Sequence, residues 1–238
     1  MHSASVNSID VDASENFLVT ASDDKTARIW AVRDSKLLRT LRPPEGPGIE
    51  GMLYAVAISP NGSTVAVGEY TGPEIGPTCI YFYDRADGRL VHAIGGLPDT
   101  TDHLAYSADG RYLAVALNHA SGVRVYRSSD YAEVGRDASY GDASTWVEFD
   151  RNGRLLTASD DGFVRAYDSR FHLTGRFEPP GGNWIQSARF SPDASKVAVG
   201  FTDSAAINVL SGRDLSFLYA PDTHFSNQSL GTHAGLVA

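Results

Sequence analysis

Two pairs of adjacent carboxylates, Asp23-Asp24 and Asp160-Asp161, are the first residues here whose types could do chemistry. Side by side, one acid can hold a proton while its neighbour stays charged, as general acid–base hydrolysis requires. Both pairs occupy the same place within a repeated stretch, however, and so read as turn residues of that stretch. Asp102-His103 has serines in its vicinity, yet no Gly-x-Ser-x-Gly elbow presents a nucleophile to it. His92, His103, His119 and His172 lack the His-Glu-x-x-His spacing of a metal site, and no glycine-rich phosphate cradle is present. The single cysteine, Cys79, excludes an internal disulfide framework and a cysteine-based zinc centre. No catalytic residue, metal ligand set or cofactor is expected, and the chain reads as a non-enzyme.

Short strands must position these residues. From His2 to Trp30 the chain runs HSASVNSIDVDASENFLVTASDDKTARIW. Ile9 and Val11 mark a half-buried strand, and 13–16 supply a turn. Phe17-Leu18-Val19 opens a second strand, Asp23-Asp24-Lys25 turns again, and Ala27–Trp30 forms a third. Three short strands cannot close a core alone, so such a unit must stack on copies of itself. The copies are counted from the first turn, whose last residue is Asn16, Gly62, Gly110, Gly153 and Ala194, in steps of 46, 48, 43 and 41 residues. Apolar pairs precede each turn: Ile9/Val11, Val56/Ile58, Leu104/Tyr106, Val147/Phe149 and Ala188/Phe190. Third strands end at Trp30, Tyr83, Tyr126, Tyr167 and Leu210. Fourth strands are expected at 37–41, 90–94, 132–135, 173–177 and 216–220.

Composition narrows the function classes. The 238 residues carry a formal charge of −9, which argues against nucleic-acid and anionic-membrane partners. No run of apolar residues is long enough to span a bilayer, and no basic-then-apolar leader is visible at the N-terminus. With the lone cysteine, this points to a reducing, cytoplasmic setting.

The repeated stretch resembles a WD40 repeat, whose period is about 40–45 residues with four strands per propeller blade. The resemblance rests on the Asp-x-Thr-x-x-x-Trp run of Asp24, Thr26 and Trp30, and on turn-and-strand wording such as SPNG and SADGRYLAVAL, and it is strongest toward bacterial members. It covers residues 2–220 and implies an all-β propeller with five recognisable four-stranded blades. It also implies a buried hydrogen-bonded tetrad of His2, Ser22, Asp24 and Trp30. An indole donates, a hydroxyl and a neutral imidazole relay, and a carboxylate accepts, so each buried polar group finds a partner. Repeat four keeps Ser159 and Asp161 and offers Tyr140 and Tyr167 for a modified network. Residues 221–238 read as an irregular tail or the start of a sixth blade around 235–237. Because the family usually closes its ring with seven blades, the expectation is a truncated or incompletely closed propeller, or a piece of a longer multidomain protein. A closed five- or six-bladed ring is the second reading.

Two segments break the spacing, Arg42–Met52 and Tyr70–Cys79. In a propeller the connection from fourth to next first strand (d–a) and that from second to third (b–c) emerge on one face. Both insertions therefore fall on one rim, where the binding face of a repeat protein is often found. Glu50, Tyr54, Tyr70, Glu74, Trp146 and Trp184 are the candidate partner-binding residues, with the aromatics as anchors. The resemblance implies a non-catalytic interaction platform or sensor module for a protein or peptide, in some bacterial relatives tethered to an effector domain. The alternative class is a lactonase-like hydrolase with its site in the central channel. A channel ringed by Glu, Asp, Asn and His would favour the hydrolase, whereas an aromatic, loop-walled rim would favour the platform.

Overall fold

Each repeat becomes one antiparallel sheet. The computed structural model describes residues 1–44, 48–70 and 78–222. The first sheet holds β1 (Val6–Val11), β2 (Phe17–Ser22), β3 (Ala27–Ala31) and β4 (Lys36–Leu41). The second holds β5 (Met52–Ile58), β6 (Thr64–Tyr70), β7 (Thr78–Asp84) and β8 (Leu90–Leu97). The third holds β9 (Thr101–Tyr106), β10 (Tyr112–Leu117), β11 (Val123–Arg127) and β12 (Glu133–Asp137). The fourth holds β13 (Ser144–Phe149), β14 (Leu155–Ser159), β15 (Val164–Tyr167) and β16 (Leu173–Phe177). The fifth holds β17 (Ile185–Phe190), β18 (Lys196–Phe201), β19 (Ile207–Ser211) and β20 (Phe217–Tyr219). In every sheet the strands lie in sequence order and pair with their chain neighbours, as connections of four or five residues, and of seven between β6 and β7, favour. The anticipated strands therefore all form. The segment 235–237, read as the start of a sixth blade, lies outside the described residues.

The cores lie between sheets. Val19, Ala21 and Ile29 of the first sheet pack on Val56, Val65 and Tyr83 of the second. Ala57, Ala66 and Phe82 continue from the second to Leu104, Leu113 and Val115 of the third. Ala114 and Val125 then meet Val147 and Leu155, and Leu156 and Val164 meet Val197 and Phe201. Each of the three middle sheets thus buries one face against its predecessor and the other against its successor, as strands with near-continuous apolar runs require. Among the described residues no such core joins the fifth sheet back to the first, so the series is open. On the first sheet the face that in later sheets meets a predecessor is uncovered, and Ile9 is 63% exposed there.

The turn between third and fourth strands supplies a wedge. Ser35, Gly88, Tyr131, Phe171 and Leu215 hold this position in the five sheets, all with φ between 55° and 76°. A side chain in that left-handed region costs about 1–2 kcal/mol, and packing on the preceding sheet offsets it. Tyr131 stacks on His92 at 4.0 Å, and Phe171 lies against the backbone of Gly135 and edge-on to Tyr112. Ser35, with no described sheet before it, is exposed.

Candidate functional site

In the first sheet the implied tetrad is present with one change. The His2 Nδ1 lies 2.9 Å from Asp24 Oδ2, and its Nε2 lies 2.7 Å from Thr20 Oγ1. The Trp30 indole N–H donates to the same Thr20 oxygen at 3.0 Å. The relaying hydroxyl is thus that of Thr20, and Ser22 is corrected out of the relay. Leu18 pairs with Trp30 across the strands, so Thr20 is one diagonal step from the indole. Ser22 is four residues along, roughly 13 Å at 3.3 Å per residue. Its hydroxyl instead accepts from the Asp24 amide at 3.1 Å and caps the turn. Burial pushes the Asp24 carboxyl up, but bonds from Thr26, the Ser3 amide and His2 outweigh it and hold the group well below the usual carboxylate range.

The fourth sheet rebuilds this network with other residues. Tyr140 Oη lies 2.7 Å from Thr157 Oγ1 and 2.9 Å from Tyr167 Oη, which in turn donates to Asp137 at 2.8 Å. Thr157, Tyr140, Tyr167 and Asp161 hold the places of Thr20, His2, Trp30 and Asp24. Asp161 no longer meets the aromatic relay. The buried Arg165 takes it at 2.6 and 3.0 Å and lays its guanidinium over the Tyr140 ring at 3.9 Å. Thr20 and Thr157 were both signalled by the repeated Thr-Ala-Ser tripeptide at 20–22 and 157–159.

On the d–a and b–c rim, Tyr54 and Tyr70 come together, with ring centroids 5.1 Å apart and planes at 28°. Residues one strand apart on β5 and β6 make this pair. Burial raises the Tyr54 hydroxyl pKa, and the charges of Asp23 and Asp102 add to the rise. Asp102 itself is pushed up to about 7 by burial, then by Asp99 and Asp160. Asp160 is pushed up to about 6 by burial and by Asp142, Asp161 and Asp203. Crowded like charges mark an acidic rim that the sequence pairs alone did not reveal. Glu50 sits on the turn before β5, where its charge helps burial raise the carboxyl of Glu69 to about 7. Trp184 is 55% exposed, its amide tied to Asp203 at 3.3 Å, and it stacks on no other ring among the described residues. Glu74 lies outside the described residues, as do 45–47 and 71–77 of the two insertions.

Trp146 stands elsewhere. It projects from the innermost strand of the fourth sheet and stacks on His103 at 3.9 Å, with the Arg189 guanidinium 5.7 Å from its ring centre. These groups, with Asp10, Tyr106 and Glu148, border an axial cavity of about 320 Å³ between the innermost strands. Both carboxylates there already have work. Asp10 Oδ2 accepts from the Ile58 amide at 2.8 Å, and Glu148 Oε2 from the Phe190 amide at 2.9 Å. Each carboxylate thus latches its sheet to the next. Burial raises Asp10 to about 6, although both backbone bonds pull against it. Burial lowers His103 to about 4, so its imidazole is neutral near pH 7. Among the described residues no group of three His, Cys, Asp or Glu side chains is placed to hold a metal ion.

Five four-stranded sheets stacked face to face, with a polar relay inside the first, define an all-β repeat protein built from propeller-type blades, here in an open series. Residues 1–31, which hold the first three strands, match the family model described as "WD domain, G-beta repeat", so this stretch is similar to a WD40 repeat. Domains of this family commonly act as protein-interaction scaffolds and are typically non-catalytic.

Proposed function

We propose that this chain is a non-catalytic interaction module whose d–a and b–c rim binds a segment of a partner protein bearing basic groups. The observation that carries this reading is the Tyr54–Tyr70 stack set beside Asp23 and Asp102. An aromatic pair gives apolar contact area at low ordering cost, and the surrounding carboxylates select positive charge and speed its approach. Trp184 adds an exposed indole to the same rim, and Glu50 a further negative charge. The channel carboxylates support a binding role over a hydrolytic one, because their oxygens are engaged in latching successive sheets. A reducing, cytoplasmic setting suits the single cysteine.

The test is fluorescence anisotropy with a lysine-rich peptide, an acidic peptide of equal length and a single-stranded oligonucleotide. The basic peptide should bind, more weakly as salt rises, and Tyr54→Ala with Asp102→Asn should weaken it about tenfold or more. Equal affinity for the acidic peptide, or binding untouched by both rim variants, refutes the assignment.

A further inference from the structure

On the opposite face, where the first and third turns of each sheet emerge, the four junctions between sheets are not filled alike. Strand register makes Phe17, Thr64, Tyr112 and Arg154 equivalent, each immediately before the residue that pairs with the end of the third strand. On the following sheet, Arg85, Ser128, Ser169 and Gly212 are likewise equivalent, two residues beyond Tyr83, Tyr126, Tyr167 and Leu210. These two positions decide what occupies the junction.

At the first junction Arg85 lays its guanidinium over Phe17 at 4.0 Å and donates from Nε to the Gly62 carbonyl at 2.7 Å. At the fourth, Arg154 reaches across from the other side. It donates to the Gly212 carbonyl at 2.7 Å and lies 5.2 Å from the Phe190 ring centre, with the Ala194 carbonyl 3.5 Å away. At the third the Tyr112 ring takes the space, and a cleft of only about 200 Å³ remains. The second junction has Thr64 and Ser128 at both positions, and a cleft of about 910 Å³ is open there. Part of its remaining furniture is that of the filled junctions, although Ser59 holds the place of Asp150, whose Oδ2 accepts from Arg154 Nε at 2.8 Å. Tyr106 stands where Phe190 stands, Gly110 where Gly62 and Ala194 stand, and Ser128 where Gly212 stands. Ser128 Oγ is buried with no hydrogen-bond partner.

We propose that this cleft between the second and third sheets receives an arginine side chain from a segment of another protein. Two of the three filled junctions hold a guanidinium lying on an aromatic ring and donating to a turn carbonyl, and the open one keeps the ring of the fourth junction, as Tyr106, and the carbonyls, though not the Phe17 ring of the first. A planar guanidinium can stack on Tyr106 while its edge donates to Gly110 O and Ser128 O, which a lysine ammonium cannot do. The cations at the mouth do not oppose it, since Arg111 and Arg127 are each paired at 2.6 Å with Asp109 and Asp130. The volume lies in the range that holds a drug-sized ligand, so it accommodates the residues flanking the arginine as well.

The experiment uses the full chain, isotopically labelled for amide NMR, titrated with Gly-Ser-Arg-Ser-Gly and with versions carrying lysine, citrulline or phenylalanine in place of the arginine. The arginine peptide should produce saturable shifts at the Gly110 and Ser128 amides, with the other three about tenfold or more weaker. Thr64→Arg and Ser128→Arg each supply an internal guanidinium, as Arg154 does at the fourth junction and Arg85 at the first, and either folded variant should abolish those shifts. Tyr54→Ala on the far rim should leave them unchanged. Absence of saturable shifts at Gly110 and Ser128 overturns the proposal. So do equal affinity for the lysine or phenylalanine peptide, undiminished binding in a folded plug variant, and free arginine binding as tightly as the peptide.

Discussion

Thr20→Val separates the relay found in the first sheet from the one that the sequence suggests. The valine keeps the shape of the threonine and removes the oxygen that meets His2 Nε2 at 2.7 Å and Trp30 Nε1 at 3.0 Å. Thr20 is 8% exposed, so water reaches the orphaned groups poorly. Leaving a buried donor unsatisfied costs about 1–3 kcal/mol, and the buried imidazole with the half-buried indole places the expectation near the middle of that range. Ser22→Ala loses a bond from the Asp24 amide at 3.1 Å and a weak one to the Ala4 carbonyl at 3.4 Å. That is worth about 0.5–1.5 kcal/mol. The assay is urea unfolding followed by circular dichroism, with the Trp30 indole N–H resonance as a local probe. Because blades are coupled mainly to their neighbours, the indole should report loss of the first sheet before global unfolding. Thr20→Val should shift the indole resonance and lower the local midpoint more than Ser22→Ala does. Equal midpoints, or an indole resonance moved only by Ser22→Ala, would refute the reasoning.

Three further outcomes are expected. Arg165→Met removes the partner of Asp161 inside the fourth sheet and should cost about 3–5 kcal/mol by leaving a buried charge unpaired; adding Asp161→Asn should recover part of it in a denaturant double-mutant cycle. Asp102 is raised to about 7 in the folded chain, so between its unfolded value near 4 and pH 7 the folded state binds the extra proton and stability falls as pH rises; Asp102→Asn should raise the melting temperature at pH 8 and leave it nearly unchanged at pH 4. Phe171→Ala should destabilise by about 1–3 kcal/mol through lost packing on Gly135 and Tyr112, whereas Ser35→Ala, the equivalent position with no preceding sheet, should stay within roughly 0.5 kcal/mol; similar chemical-denaturation midpoints for the two would show that the turn residue is no wedge.

Strand content, strand order and sheet number were determined by the sequence itself. Alternating apolar residues such as Ile9/Val11 and turns such as Ser59–Gly62 are local signals, read within a dozen residues. The pairing of Asp24 with His2 was accessible as well, because the resemblance to a WD40 repeat implies both positions. What the sequence left undecided are contacts that depend on register and on the next sheet. Ser22 and Thr20 share one face of β2, and only the pairing of Leu18 with Trp30 shows which hydroxyl the indole reaches. Trp146 lies beside Ser144 and Thr145 in a pattern that fits rim or channel equally, and the stack on His103 from the preceding sheet sends it inward. The raised pKa values of Asp102 and Asp160 likewise come first from burial once the sheets stack, and then from neighbouring carboxylates, among them Asp160 beside Asp102 and Asp203 beside Asp160 from other sheets. The open cleft is the furthest from local reading. Thr64 opens β6 and Ser128 follows β11, and their smallness matters only because folding sets them opposite each other where Phe17 meets Arg85 one junction earlier. A one-dimensional pattern records what each strand buries, but the space between two sheets belongs to both at once.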